Sequence, residues 1–148
     1  MQRPGSEKTF AKMMNKKAKE LGCENTHFKN PHGLDAKDHY STARDLAEIA
    51  RYGMKNKTFR KIVSTKSYQF RTKKKNRKYT VSSTDQLLGN TKGICGVKTG
   101  TTGDAGCCFV GAYKYNGKTY ITVVLGAPYD YWRWEDTKQL IGYIKKYM

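Results

Sequence analysis

From Phe10, apolar residues recur at helical spacing through Met13, Met14 and Ala18 to Leu21, with Ser6 before them as a candidate N-cap and Gly22 after them as a left-handed stop. This predicts an amphipathic helix with a lysine-rich outer face. Between Cys23 and Tyr40 the periodicity gives way to turn residues, and Asn30-Pro31-His32-Gly33 is the strongest break in the chain. An ordered loop is expected there. Thr42 with Asp45 three residues on resembles a capping box in which Asp stands for Glu. Leu46, Ile49, Ala50 and Met54 then form the apolar stripe of a second helix, ending near Lys55 to Lys57.

From Ile62 to Val81 the pattern changes to alternation rich in strand formers. Val63, Tyr68, Phe70, Tyr79 and Val81 flank the run Arg71-Thr72-Lys73-Lys74-Lys75-Asn76-Arg77-Lys78, which predicts a hairpin with a basic tip. Ile94 to Thr101 reads as a further strand. Cys107 to Tyr115 and Lys118 to Leu125 are two alternating runs joined by Asn116-Gly117, the dipeptide best suited to a two-residue hairpin turn. After Pro128 and an aromatic cluster at Tyr129, Tyr131, Trp132 and Trp134, the last segment sets Thr137, Leu140, Ile141, Ile144 and Met148 on one helical face.

With 148 residues, one domain is the default. Leu, Ile, Val and Phe number only 24, or 16% of the chain, below the roughly 20% under which a highly charged sequence is suspected of disorder. Eleven Tyr, five Phe and two Trp argue instead for a folded domain with a thin core. No stretch reaches the roughly 18 apolar residues of a membrane span, and Met1 to Lys8 lacks the apolar centre of a signal peptide, so the sequence as written carries no export address. Cys23, Cys95, Cys107 and Cys108 show no C-x-x-C spacing, and the adjacent pair is awkward as a disulfide, a usage that suits reduced or anaerobic surroundings. The net charge of +17 has three readings: attraction to nucleic acid, attraction to an anionic envelope, or plain solubility. Lys73 to Lys78 beside Tyr68, Phe70 and Tyr79 could track a phosphate backbone, but no nucleic-acid motif accompanies them.

The chemistry concentrates in Gly93 to Gly106. Lys98-Thr99-Gly100 on a strand, with glycines on both sides, exposes a cation, a hydroxyl and backbone N–H groups, and these suit a carboxylate ligand. Strict alternation would place Lys98 and Thr99 on opposite faces, so their joint use requires a twisted or edge strand open to the ligand. The Lys-Thr-Gly triplet is one of three signature motifs of penicillin-binding proteins and β-lactamases, with S-x-x-K and S-x-N.

Four segments stand in a common order: Phe10 to Gly22, Asn25 to Asp35 with its Asn-Pro-His-Gly turn, His39 to Ala50, and Leu87-Leu88 ahead of Lys98-Thr99-Gly100. From Ser6 to Met148 the chain resembles the low-molecular-mass serine D-alanyl-D-alanine carboxypeptidases, which trim peptidoglycan stem peptides. The resemblance implies an α+β fold, an antiparallel sheet flanked by helices, and an activity that proceeds through an acyl-serine intermediate without metal or cofactor. It assigns Lys98 and Thr99 of the Lys98-Thr99-Gly100 motif to the carboxylate of the terminal D-Ala, with the Lys98 charge also keeping neighbouring proton-transfer groups in order. It gives the N–H of Thr101 the role of second oxyanion donor, a group typically worth about 3 kcal/mol of transition-state stabilisation. Thr84, in Ser83-Thr84-Asp85, falls where relatives carry Asn-x-Asn, and the extra acid at Asp85 is expected to weaken carboxylate binding. Arg133 lines up with an arginine near the carboxylate pocket, though a solvated arginine at a helix start reads equally well. Thr101 and Cys107 stand where aromatic residues are expected.

None of the six serines is followed by Lys three positions on or by Asn two positions on. The 148 residues therefore read as a single partial catalytic domain, the carboxy-terminal part of one without its S-x-x-K and S-x-N segment, and as inactive alone. The implied partners are D-Ala-D-Ala stem peptides, β-lactams for the complete enzyme only, and anionic cell-wall polymer, in a bacterial envelope. Nucleic acid is not among them. The uncovered faces of Ile121, Val123, Leu125, Leu46 and Ile49 suggest self-association or a complementing amino-terminal segment. The rival reading is a non-catalytic module that binds D-Ala-terminated peptide or anionic polymer. His27, His32 and His39 with Cys23 match no standard zinc spacing, and Cys95, Cys107 and Cys108 read as small core residues.

Overall fold

The computed structural model describes residues 5–148, so Met1 to Pro4, part of the segment read above for an export signal, lie outside the described residues. Helix α1 (Glu7–Glu20) starts on Ser6, whose hydroxyl accepts the N–H of Thr9, and ends before Gly22 at φ +77°. The loop that follows is fastened at several points. The Asn15 side chain donates to the Phe28 carbonyl at 2.8 Å and accepts the Phe28 N–H at 2.7 Å, and His27 pairs with Tyr40 in an isolated bridge.

Helix α2 (Ala43–Gly53) is capped by the Thr42 hydroxyl, which accepts the Asp45 N–H. Asp45 does not complete the expected capping box. Its buried carboxylate instead accepts the Asn25 N–H at 2.9 Å and the Thr26 hydroxyl at 2.7 Å, tying the loop to the helix. A short helix, α3 (Lys57–Val63), stands where Ile62 and Val63 read as strand residues. The Asn56 side chain accepts the Phe59 N–H and starts a new turn, and local capping overrides the β preference of Ile62 and Val63. The basic hairpin is therefore shorter than expected: β1 (Ser67–Arg71) pairs antiparallel with β2 (Lys78–Ser82).

The main sheet has three antiparallel strands in the order β3 (Ile94–Thr102), β4 (Gly106–Tyr115) and β5 (Lys118–Ala127). Asn116 and Gly117, at φ +46° and +73°, make the tight turn that the sequence predicts. Helix α4 (Asp130–Tyr147) packs on β4 and β5. It begins earlier than the pattern suggests, so Tyr131, Trp132 and Trp134 are helical. Its buried face is Arg133, Trp134, Thr137, Ile141 and Ile144, while Leu140 and Met148 are exposed. Those two sit beside the stripe and not on it, because Trp134 takes the central position against Phe109, with ring centroids 5.1 Å apart.

The core gathers Leu87, Leu88, Ile94, Phe109, Tyr113, Trp134, Ile141 and Ile144. Three of these eight are aromatic, and their large rings help a chain poor in Leu, Ile and Val to fill its core. Among the described residues no helix is long and apolar enough to cross a membrane. Gly111 faces this core, where an added Cβ would lie 2.4 Å from Thr122 Oγ1 and 2.9 Å from the Phe109 ring. Gly111→Ala should destabilise the chain by about 1–3 kcal/mol through overpacking; urea unfolding of both proteins checks this, and equal midpoints would contradict the tight contact.

Candidate functional site

Strand β3 pairs with β4 on one side only, so its outer edge is free. The ladder shifts register between Ile94 and Val97 and then runs regularly, Lys98 facing Val110, Thr99 facing Phe109, Gly100 facing Cys108 and Thr101 facing Cys107. Alternation holds: Thr99 points to the buried side with Phe109 and Lys98 is exposed on the other. Both nevertheless border one cavity of about 680 Å³ that opens at the strand's free edge and is closed on its other sides by Lys61, Ile62, Val63, Tyr68, Val81 and Thr84. The edge position reconciles opposite faces with joint access.

Lys98 Nζ donates to the Thr99 carbonyl at 2.5 Å, and among the described residues no carboxylate lies within ion-pair distance of it. An ammonium has three donors, so two are left for a ligand. The Thr99 hydroxyl meets that of Thr84 at 2.5 Å. One of the two donates and the other accepts, so the pair still has a proton to offer an anion when Thr84 donates. A Cβ at Gly100 would meet nothing within 4 Å, so the glycine keeps an open approach beside the two polar groups.

Arg133 is buried under the strand. Its Nη1 donates to the Gly100 carbonyl at 3.1 Å, to Thr101 Oγ1 at 2.9 Å and to the Cys108 carbonyl at 3.4 Å. Its Nη2 pairs with Asp130, and the guanidinium lies over the Trp134 ring at 4.7 Å. The solvated helix-start reading of Arg133 is thereby corrected, and the residue positions Gly100 and Thr101 from below. Asp130 also accepts from Gln86 and from the Trp134 indole, each at 3.0 Å. The far end of β3 is held by Asp35, which accepts the Thr102 hydroxyl at 2.6 Å and the Asp104 N–H at 3.4 Å. Thus the loop after α1 and helix α4 both hold β3 on the carboxy-terminal side of the motif.

Asp85 borders the cavity too, but its side chain is buried and turned to the backbone, where Oδ1 accepts the Leu87 and Leu88 N–H groups at 2.9 and 3.1 Å. It shapes the turn that sends Leu87 and Leu88 into the core. Among the described residues Oδ2 has no partner, and burial pushes the carboxyl above its usual range against the pull of the two N–H bonds. The four cysteines are free, and Cys23 and Cys95 are held above the usual thiol range by burial, as inert core thiols are. His39 Nδ1 accepts the Lys29 N–H, and burial lowers its basicity. The sequence reading missed Lys61, Ile62 and Val63 as cavity wall, because their helix was read as strand. It also missed the anchors Asp35 and Asp130, which only an i, i+3 spacing of Asp130 to Arg133 signals in advance.

The sequence profile of the D-alanyl-D-alanine carboxypeptidases matches residues 2–129. The chain is similar to D-alanyl-D-alanine carboxypeptidase DacF of Bacillus subtilis, 42% identical over 123 residues, which are 83% of this chain and 31% of that protein. It is 39% identical over 140 residues to a Streptomyces D-alanyl-D-alanine carboxypeptidase, covering 92% of this chain and 48% of that one. Among solved structures, a Streptomyces DD-transpeptidase superposes with a TM-score of 0.86 at 38% identity over 92% of this chain and 53% of the other. A Mycobacterium tuberculosis D-alanyl-D-alanine carboxypeptidase superposes with a TM-score of 0.77 at 33% identity, covering 84% and 47%. The chain spans 31% and 48% of the length of these two curated relatives.

Asp85 supplies a pH test of the site's lower wall. Because its folded-state affinity for a proton exceeds that of the unfolded chain, its contribution is most favourable below the ordinary carboxylate range of about 4 and is lost as pH rises through the elevated folded value. Asp85→Asn keeps an Oδ1 acceptor for Leu87 and Leu88 but cannot ionise. The variant should gain stability relative to the parent as pH rises from about 3 to 7, and thermal unfolding across that range reads the difference. A constant offset would show that burial does not govern this carboxyl.

Proposed function

The chain belongs to the D-alanyl-D-alanine carboxypeptidase family, and on that premise we propose that it supplies the carboxylate-recognising side of a serine-type peptidase site acting on peptidoglycan stem peptides in the bacterial envelope. The observation that carries this reading is the convergence of Lys98, Thr99 and Thr84 on one cavity at a free strand edge. The Lys98 ammonium, with two donors to spare, and the Thr99 hydroxyl bind the carboxylate of the terminal D-Ala. Thr84 orients the Thr99 proton outward, and Arg133 holds Gly100 and Thr101 so that the strand presents its edge at fixed depth. The N–H of Thr101 stabilises the oxyanion. In the complete reaction a serine attacks the carbonyl of the penultimate D-Ala, terminal D-Ala leaves, and water releases the peptide from the acyl-serine. That serine is not in this sequence, which contains neither S-x-x-K nor S-x-N.

Binding of the leaving residue and chemistry on the carbonyl are therefore separable here. The purified 148-residue chain should take no stoichiometric label from a fluorescent penicillin, because covalent acylation needs the nucleophile and its base; a labelled serine on the chain would overturn the assignment. When an S-x-x-K and S-x-N segment is supplied, labelling and D-Ala release should appear and depend on Lys98. Lys98→Ala then removes a charged hydrogen bond worth roughly 1.5–3 kcal/mol, a loss of about tenfold or more in kcat/KM. Unchanged kcat/KM in that variant would remove Lys98 from the site.

A further inference from the structure

The β1–β2 hairpin lends Tyr68 and Val81 to the cavity wall and otherwise has no part in the scheme above, yet it carries the densest positive charge of the chain and an exposed row of stacked rings. Both strands are exposed along their whole length. Tyr68 pairs with Val81 and Phe70 with Tyr79, so these four side chains share one face. The rings stack along it: Tyr68 on Phe70 with centroids 6.5 Å apart, Phe70 on Tyr79 at 5.6 Å, both pairs within 19° of parallel. Their exposures are 61%, 42% and 44%. Such a row costs hydration and gains no core packing, so it is matched to something flat that arrives from solution.

Two further observations say what arrives. The apolar row begins at the cavity wall, since Tyr68 and Val81 border the cavity that Lys98 and Thr99 share, and it runs outward to the tip. From Tyr68 to Arg71 the strand spans roughly 10 Å at about 3.3 Å per residue, and the turn with the lysines follows. The tip then holds Lys73, Lys74, Lys75 and Arg77, with Arg71 and Lys78 at its base, and no acid stands among residues 71–78. None of these six cations pairs with a carboxylate among the described residues. The tip is held in shape by its own backbone, Thr72 N–H to the Arg77 carbonyl at 3.0 Å and Asn76 N–H to the Thr72 carbonyl at 2.9 Å, with Asn76 at φ +47°. Flat apolar rings followed by unpaired cations complement a polymer that has the C–H faces of sugar rings and carboxylates.

We propose that the hairpin is a subsite for the glycan strand of peptidoglycan, the rings of Tyr68, Phe70 and Tyr79 stacking on its sugars and the tip cations holding the lactyl carboxylates of those muramyl residues that bear no stem peptide. The proposal rests on the peptidase reading, because it places the polymer beside the cavity that takes the peptide. It gives the cationic chain a directed contact where net charge alone gives only general attraction.

Insoluble glycan strands from which the stem peptides have been removed enzymatically test the subsite by itself: they keep sugar rings and lactyl carboxylates but contain no D-Ala. Cosedimentation of the 148-residue chain with this material is measured from low to moderate salt. Phe70→Leu with Tyr79→Leu keeps apolar bulk on an exposed hairpin and removes the flat faces; affinity should fall about tenfold at every salt concentration. Lys73→Gln, Lys74→Gln and Lys75→Gln together should weaken binding at low salt and flatten its salt dependence. The same loss of charge on α1, Lys12→Gln, Lys16→Gln and Lys19→Gln, should change affinity less than about twofold if the tip is the contact. Leucine variants that bind like the parent, α1 variants that lose as much as the tip variants, or single-stranded DNA that displaces the chain as well as soluble glycan does would each overturn the subsite. Failure of the penicillin and D-Ala tests would leave this binding result untouched, so the two readings fall separately.

Discussion

A buried guanidinium joins the last helix to the strand that carries Lys98-Thr99-Gly100. Arg133 reaches from α4 to the carbonyls of Gly100 and Cys108 and to the Thr101 hydroxyl, and it is steadied by Asp130 and by the Trp134 ring. Asp130 is partly solvated, so the pair avoids the full cost of burying two charges. What it contributes is register. Strand β4 fixes how β3 lies in the sheet, and this contact ties the carboxy-terminal side of its Lys-Thr-Gly segment to α4. Leu87 and Leu88 enter the core beside Trp134 through a turn that Asp85 shapes, so the Thr84 hydroxyl reaches Thr99 because the same core is closed.

The charge of the chain is arranged around that requirement. Acidic residues are few, and several are spent on structure: Asp45 on the loop, Asp35 on the β3–β4 turn, Asp85 on the Leu87-Leu88 turn and Asp130 on Arg133. This leaves the hairpin tip and the rim of the cavity almost purely cationic. Carboxylates held as caps and anchors are not at hand to pair with lysines elsewhere, so the cations of the hairpin tip face solvent without acidic partners among the described residues.

Much of the architecture was legible because it is local. Ser6, Thr42, Asn116-Gly117 and the alternation of β4 and β5 each act within a few residues, and each appears as the pattern predicts. Local signals also explain the errors. Ile62 and Val63 alternate like a strand, but Asn56 starts a turn ahead of them; Leu140 keeps helical spacing with Thr137, but Trp134 and Arg133 rotate the buried face away from it. A periodicity gives a face's width, and a large neighbouring side chain decides its centre.

By itself the sequence determined the elements, the positive charge and the tripeptide Lys98-Thr99-Gly100 with its family context, since these depend on residue type and short spacing. It left open whether a lysine and a threonine on opposite faces could serve one ligand. Tertiary structure brought both to one cavity by leaving β3 at the sheet edge. It also buried Arg133, for which the sequence offered a pocket and a solvated reading, as a support beneath β3, and turned Asp85 from a competing charge into a turn residue. Both outcomes depend on what packs from distant parts of the chain, and burial, unlike periodicity, is not a property of any short stretch of sequence.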